Sequence, residues 1–175
     1  MQVSSDIQLM KIKLSDAPEI FQAIDANRTD LREWLSFIDD TLDREDTEDL
    51  INYINDIGEK TFLIRYRQEV AGLIGFKDTD VLNRRTEIGY WLVEKFRKKG
   101  IVTQSVKSLL KYAFEELDLN RVQIKAGTEN IKSRRVPERL GFSFEGIERE
   151  GEYLNGGFID LAVYSLLKSE YFKAV

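Results

Sequence analysis

Apolar and polar positions alternate in several short runs and recur every three or four residues in others, so strands and helices are both written into the chain. Residues 7–14 alternate well enough to predict a strand. Ser15 follows as a candidate N-cap, with Pro18 and Glu19 in the first turn of a helix reaching about Asn27. A second helical stretch, residues 31–37, carries Trp34. A third opens at Thr47, where acids suit the positive end of a helix, and closes at Gly58. Residues 61–67, 70–76 and 85–93 predict three antiparallel strands, the first two joined through Gln68 and Glu69.

The strongest helical pattern is 101–117, where Val106, Leu109, Leu110, Ala113, Phe114 and Leu117 share one face. Residues 121–126 read as a strand and 133–140 as a short helix stopped by Gly141. Pro137 sets the start of that helix near Ser133, since a proline deep inside costs about 3 kcal/mol. The last strands, 142–153 and 158–166, meet at Asn155-Gly156, a strong hairpin signal. With no repeat, linker or low-complexity segment, the pattern predicts one α+β domain over residues 1–175.

Composition narrows the chemistry. A chain of 175 residues with 42% hydrophobic and 33% charged residues is long enough to bury a core without staples. There is no cysteine and no histidine, which excludes disulfides, thiolate metal sites, a cysteine nucleophile, the Ser-His-Asp arrangement and most zinc sites. No metal is expected. Acid–base work falls to carboxylates, hydroxyls, Tyr, Lys or water. No apolar run reaches the roughly 20 residues of a membrane span, and the first residues lack a secretory pattern, so a cytoplasmic location and no membrane partner are expected.

The net charge of −5 argues against nucleic-acid binding. Its distribution is uneven: seven acids stand against Arg44 in residues 39–49, and six bases stand against Glu94 in residues 94–111. One surface suits a cation and another an anion.

The basic segment sits at a strand–loop–helix junction. A helix N-terminus offers unpaired N–H groups and partial positive charge to a phosphate. Gly100 allows close backbone approach, Lys98 and Lys99 add charge, and Thr103 can bond the first turn or a ligand oxygen. These features make a pyrophosphate cradle without naming the ligand, and a plain solvated loop has the same composition. The Walker and dinucleotide glycine patterns are both absent.

Arg97, Gly100 and Val102 resemble the Gln/Arg-x-x-Gly-x-Gly/Ala acyl-CoA loop of the GNAT acetyltransferase superfamily, with Val102 departing at the last position, where a β-branched side chain can crowd the pyrophosphate although only its N–H is needed. Residues 119–133, the run Pro137 to Phe142, Glu145-Gly146 and Glu152 to Gly156 are similar to the RimJ/RimL branch, the ribosomal-protein N-terminal acetyltransferases and their relatives. The resemblance covers nearly the whole chain in element order. It implies a mixed, mostly antiparallel seven-stranded sheet splayed between the fourth and fifth strands and flanked by about four helices.

The same resemblance implies the site. Acetyl-CoA would be held by the backbone of Leu92 and Val93, by Arg97, Lys98, Lys99, Gly100, Val102 and Thr103, by Asn130, and by Arg134 or Arg135 at the 3′-phosphate. Ser133 matches the branch's general acid and Glu152 its general base, and with no histidine or cysteine direct transfer is favoured over an acyl-enzyme. Each has a plainer reading: Ser133 as a helix N-cap, Asn130 as a turn residue, Arg134 and Arg135 as solvated helix residues, Glu152 as an exposed strand-end acid. Trp34, Phe37 and Tyr90 match positions lining the acceptor side, and core packing explains them equally well. The implied acceptor is an amine, either a protein N-terminus of the ribosomal type or a small amine such as spermidine, which the acids of 39–49 would attract. A non-catalytic acyl-CoA sensor is the remaining alternative. A homodimer is possible within the branch.

Overall fold

The computed structural model describes residues 1–174. The chain opens with strand β1 (Ile7–Lys11) and a 3₁₀ turn (Leu14–Asp16), then helices α1 (Ala17–Asp25), α2 (Arg28–Leu31) and α3 (Arg44–Asp56). A meander follows: β2 (Thr61–Tyr66), β3 (Glu69–Asp80) and β4 (Arg85–Leu92). Helix α4 (Ile101–Lys111) runs into a wide π-helical turn (Tyr112–Glu116), and then come β5 (Arg121–Gly127), α5 (Ile131–Arg139), β6 (Ser143–Leu154), β7 (Gly157–Leu167) and α6 (Lys168–Ala174). The seven strands form one sheet in the order β1-β2-β3-β4-β5-β7-β6, antiparallel except at β4–β5. The expected α+β class and mixed seven-stranded sheet are therefore observed.

Several boundaries differ from the sequence reading, each for a local reason. The expected helix 31–37 is instead a single turn, α2, followed by a 3₁₀ turn (Ser36–Ile38). Helix α3 starts before Thr47 because Asp43 caps it: its carboxylate accepts from the N–H of Glu45 and of Asp46, and Asp46 accepts from the N–H of Asp43. The β2–β3 turn falls on Arg67 and Gln68, both with positive φ, one residue earlier than expected. Among the described residues six α-helical segments stand where about four were expected, two of them short.

Helix α5 begins at Ile131, not Ser133. Asn130 is its N-cap, the side-chain oxygen accepting from the Ser133 N–H at 3.1 Å. Pro137 consequently lies inside the helix and cannot donate to the Ser133 carbonyl four residues back. That carbonyl accepts instead from the phenol of Tyr90 on β4, at 3.1 Å. The lost helical bond is replaced by one that ties α5 to the sheet.

Helices cover both faces of the sheet. The stacked rings of Phe76 and Tyr112 and the Tyr90–Ser133 bond place α4 and α5 on one face. In-register partners share a face, so Leu73 with Trp91 and Lys77 with Glu87 lie on the other, where α1 packs on β3 and α3. The core fills both layers, with Ile20, Ile24, Leu63, Ile74, Phe76, Ile88, Leu109 and Phe114 almost fully buried. No helix among the described residues is long and apolar enough to cross a membrane.

The parallel pair sets up the cleft. β4 and β5 are in register only from Arg85 opposite Arg121 to Glu87 opposite Gln123. Beyond that rung β4 stays on β3 as far as Leu92 opposite Gly72, and β5 stays on β7 as far as Gly127 opposite Leu161. The sheet therefore opens into a wedge between two strands that each remain paired on their far side.

Candidate active site

One wall of the wedge is the free edge of β4. Val93 donates its N–H to Ala71 at 2.8 Å, so alternate residues from Val93 backward face β3. Leu92 then turns its N–H and C=O toward the gap, where β5 has diverged. An extended, amide-bearing chain can add to such an edge as an extra strand. Val93 is the less available of the two expected backbone positions: its N–H donates to Ala71 and its carbonyl accepts from Phe96, leaving one lone pair.

The edge leads into the basic loop. Lys98 and Gly100 both take left-handed backbone conformations, with φ of 63° and 72°. Gly100 is the N-cap of α4 and has no side chain to bond the first turn; the first helical bond comes from Gln104. The N–H groups of Ile101, Val102 and Thr103 are thus uncapped by any side chain, with no acid in the turn. Val102 packs its side chain, half-buried, against the core. Lys98 and Lys99 are exposed, and the Lys99 ammonium lies 5.0 Å from the Tyr66 ring centroid and 5.6 Å from that of Phe96.

Arg97 is paired within the fold. Its guanidinium forms a bidentate ion pair with Asp30 of α2, with Nη1 2.6 Å from Oδ1. The fork geometry matches the carboxylate, and both side chains are about three-quarters covered. Arg134 is likewise committed, donating to the Thr128 carbonyl at 2.8 Å and to the Tyr164 phenol at 3.1 Å. Both cations pin the fold, whereas Arg135 is exposed.

On the α5 side of the wedge, Tyr90, Asn130 and Ser133 come together. Ser133 Oγ donates to the Tyr90 phenol at 3.1 Å, and the same phenol donates to the Ser133 carbonyl. Burial pushes the Tyr90 phenol well above its ordinary range, against a smaller opposing effect of the Ser133 bond, so it stays protonated. The Asn130 oxygen is used in capping, which points its amide toward whatever approaches the helix start.

Glu152 lies on the opposite face. It sits on β6 beside an irregularity in the β6–β7 register and lines a cavity of about 300 Å³ with Lys77, Asp78, Glu87, Lys125, Gly151 and Leu161. Burial raises its carboxyl above the usual range and the nearby Glu87 adds to this, while Lys77 opposes both. Of the three acids here, Glu87 is paired with Lys77 at 2.7 Å, and Asp78 is exposed at the rim. Lys125 is paired with Glu148 at 2.7 Å. Among the described residues Glu152 is the half-buried carboxylate of the cavity that forms no direct ion pair, with the charge of Lys77 acting on it through space.

Trp34 reaches the same face. A Cβ added at Gly127 would lie 3.4 Å from Trp34 Cζ3 and 3.4 Å from Ile159 Cδ1, and Ile159 is the in-register partner of Glu152. The Asn155 amide at the hairpin tip donates to the Arg32 carbonyl at 3.0 Å, fixing the hairpin against the segment that carries Trp34. Phe37 packs half-buried against the core. The acids of residues 39–49 are largely absorbed: Asp43 and Asp46 in the cap, Glu48 on Arg44, and Asp39 on Arg32. Among the described residues, no group of three His, Cys, Asp or Glu side chains is placed to hold a metal ion.

Lys77, Glu87, Gln123 and Lys125 were not singled out in the sequence. One signal was present: Glu87 is the single acid of its strand and directly precedes the mostly apolar run from Ile88 to Leu92.

Comparison with known proteins agrees with this geometry. The family model described as an acetyltransferase (GNAT) domain matches residues 6–143. The chain is 39% identical to the putative ribosomal N-acetyltransferase YdaF of Bacillus subtilis, over 97% of this chain and 96% of that protein. It is 30% identical to the ribosomal-protein-serine acetyltransferase of Escherichia coli, over 94% of each. Among solved structures, the RimL ribosomal L7/L12 alpha-N-protein acetyltransferase in complex with coenzyme A superposes with a TM-score of 0.90 at 30% identity, covering 97% of this chain and 98% of that one.

Proposed function

The chain belongs to the GNAT acetyltransferase family and is an acyl-CoA-dependent N-acetyltransferase, and from that premise we propose that its acceptor is the α-amine of a protein N-terminus, of the ribosomal-protein type. The observation that carries this reading is Glu152, the one half-buried carboxylate without a direct ion pair among the described residues of a cavity whose other acids are paired or exposed. One such base serves one amine. A polyamine's further ammonium groups would call for more acids, and four of the seven acids in residues 39–49 serve the α3 cap and surface ion pairs.

In this reading acetyl-CoA supplies an activated acyl group on sulfur. The uncapped N–H groups of Ile101, Val102 and Thr103, with Lys98 and Lys99, bind its pyrophosphate. The Leu92 edge pairs with the amides of its arm, the Asn130 amide adds a donor, and Arg135 takes the 3′-phosphate role left by the committed Arg134. The wedge brings the thioester between the two faces. Glu152 takes the proton from the amine, whose nitrogen forms the new bond to the acyl carbon as the carbon–sulfur bond breaks. Ser133 Oγ, aligned by Tyr90, donates a proton to the departing sulfur. Trp34 and Ile159 wall the acceptor side.

The test is thiol release from acetyl-CoA with peptides starting in Ser, Ala or Met, with polyamines, and with amine antibiotics. Turnover of a Ser- or Ala-starting peptide above all other acceptors is expected. Preference for spermidine would overturn the acceptor assignment.

A further inference from the structure

Lys77 and Glu87 form a charged pair at the point where the sheet divides. They are register partners across β3 and β4, and Glu87 is also opposite Gln123 in the last rung that β4 shares with β5. Lys77 Nζ lies 2.7 Å from Glu87 Oε1, and Gln123 Nε2 donates to Oε2 at 2.9 Å. The Glu87 side chain is only 5% exposed and has a partner on each oxygen, whereas that of Lys77 is 49% exposed. The Glu87 side chain is thereby fixed in place between Lys77 and Gln123, and Lys77 lines the same cavity as Glu152.

The charges around Lys77 are few. Asp78 flanks it on β3, its N–H bonded to Glu59 beyond α3. Glu87 faces it from β4, Lys125 from β5 with Glu148 of β6 as its partner, and Glu152 from β6. A buried ion pair is weak evidence of a stabilising role, because desolvation offsets most of the attraction. A cation beside a site that must receive an amine is also unhelpful for binding an ammonium. It suits a different purpose.

We propose that Lys77, held in place by Glu87, is a positioning residue that keeps the incoming amine in its neutral, nucleophilic form and Glu152 in its ionised, proton-accepting form. This rests on the acceptor reading given above. A like charge within about 4–6 Å disfavours protonation of the amine, and the same charge favours an ionised carboxylate. Both effects of Lys77 act in one direction. Glu87 is its counterweight, since neutralising Glu87 uncovers the full charge of the lysine.

The two partners therefore have opposite signatures in the pH dependence of kcat, measured on the full chain with saturating acetyl-CoA and a Ser-starting peptide. Lys77→Gln moves the acid limb to higher pH and Glu87→Gln moves it to lower pH. A displacement of about one pH unit corresponds to about a tenfold change in rate at a fixed pH on that limb. Lys77→Arg restores the position of the limb. Losses of kcat with both limbs unmoved, or moved the same way, would show a merely structural pair and overturn the proposal. If Lys77→Gln does not fold, Glu87→Gln decides alone: an acid shift supports the proposal and an unmoved limb ends it. Failure of the unmodified chain to acetylate any peptide, polyamine or amine antibiotic would instead strike the acceptor reading, and this inference with it.

Discussion

Tyr90 and Ser133 are joined twice: the serine hydroxyl donates to the phenol, and the phenol donates to the serine carbonyl, each at 3.1 Å. The second bond exists because Pro137 leaves that carbonyl without its helical partner. The Ser133 hydroxyl is therefore aimed by a strand residue rather than by its own helix. Ser133→Ala is expected to lower kcat on the order of 100-fold, as for loss of a general acid, without changing the Kd for acetyl-CoA. Tyr90→Phe removes both bonds and strands a carbonyl, at roughly 1–3 kcal/mol of stability, with a similar loss of kcat. Equal Kd with unchanged kcat in Ser133→Ala would confine the serine to a packing role.

The same phenol gives a pH prediction. Its proton is held more tightly in the folded chain than in the unfolded one, so the native state binds the extra proton above the ordinary tyrosine range. Its contribution is fully present below about pH 10 and is lost as pH rises beyond it. Thermal unfolding from pH 8 to 11 should show a fall that is shallower in Tyr90→Phe.

Glu152 carries opposite demands in stability and activity. Burial raises its carboxyl, so the folded chain retains a proton that the unfolded chain releases, and stability falls as pH rises through the shifted value. At neutral pH the ionised side chain is a burden on the fold. Glu152→Gln is expected to raise Tm at pH 7 while lowering kcat by about 100-fold. A variant with full activity from pH 6 to 9 would remove Glu152 as the base.

The basic loop separates into residues that hold the fold and residues that face the ligand. Arg97→Gln breaks a bidentate pair with Asp30 and is expected to cost roughly 1.5–3 kcal/mol, with the Kd for acetyl-CoA unchanged by calorimetry. Lys98→Ala with Lys99→Ala should do the reverse: stability holds, affinity falls, and the salt dependence of binding flattens. Gly100→Ala forces a side chain into a left-handed conformation, at roughly 1–2 kcal/mol. Weakened acetyl-CoA binding by Arg97→Gln alone would return the guanidinium to the phosphate site.

What the sequence revealed and what it concealed divides by range. The hairpin at Asn155-Gly156 was legible because left-handed conformations at both positions, with φ of 52° and 84°, demand those residue types. The stripe of α4 was legible because its period is local. Arg97 and Arg134 read as ligand cations because their partners, Asp30 and Tyr164, lie far along the chain and carry no spacing signal. Pro137 misplaced the start of α5 because the bond that compensates it comes from β4, 43 residues away. Lys77, Glu87 and Gln123 meet only through the register of three strands, which turns and bulges set and composition does not.

Glu145 supplies the clearest acid-stability prediction. Arg121 grips it with two hydrogen bonds, and the Ser165 hydroxyl donates to it at 2.7 Å. The Arg121 bond foremost, with Ser165 and the arginine's charge in support, holds its carboxyl down from 4.5 to about 2 against a lesser opposing effect of burial. A depressed carboxyl stabilises the fold above its unfolded value, and that stability is lost as pH falls from 4.5 through about 2. The pair clamps β6 to β5 across β7, so its loss should loosen the hairpin that carries Glu152. Glu145→Gln should unfold less steeply with acid than the unmodified chain between pH 4.5 and 2, and should be less stable at pH 7. Urea titrations at pH 7, 4.5 and 3 check both, and parallel losses at all three pH values would show that the carboxylate charge contributes nothing.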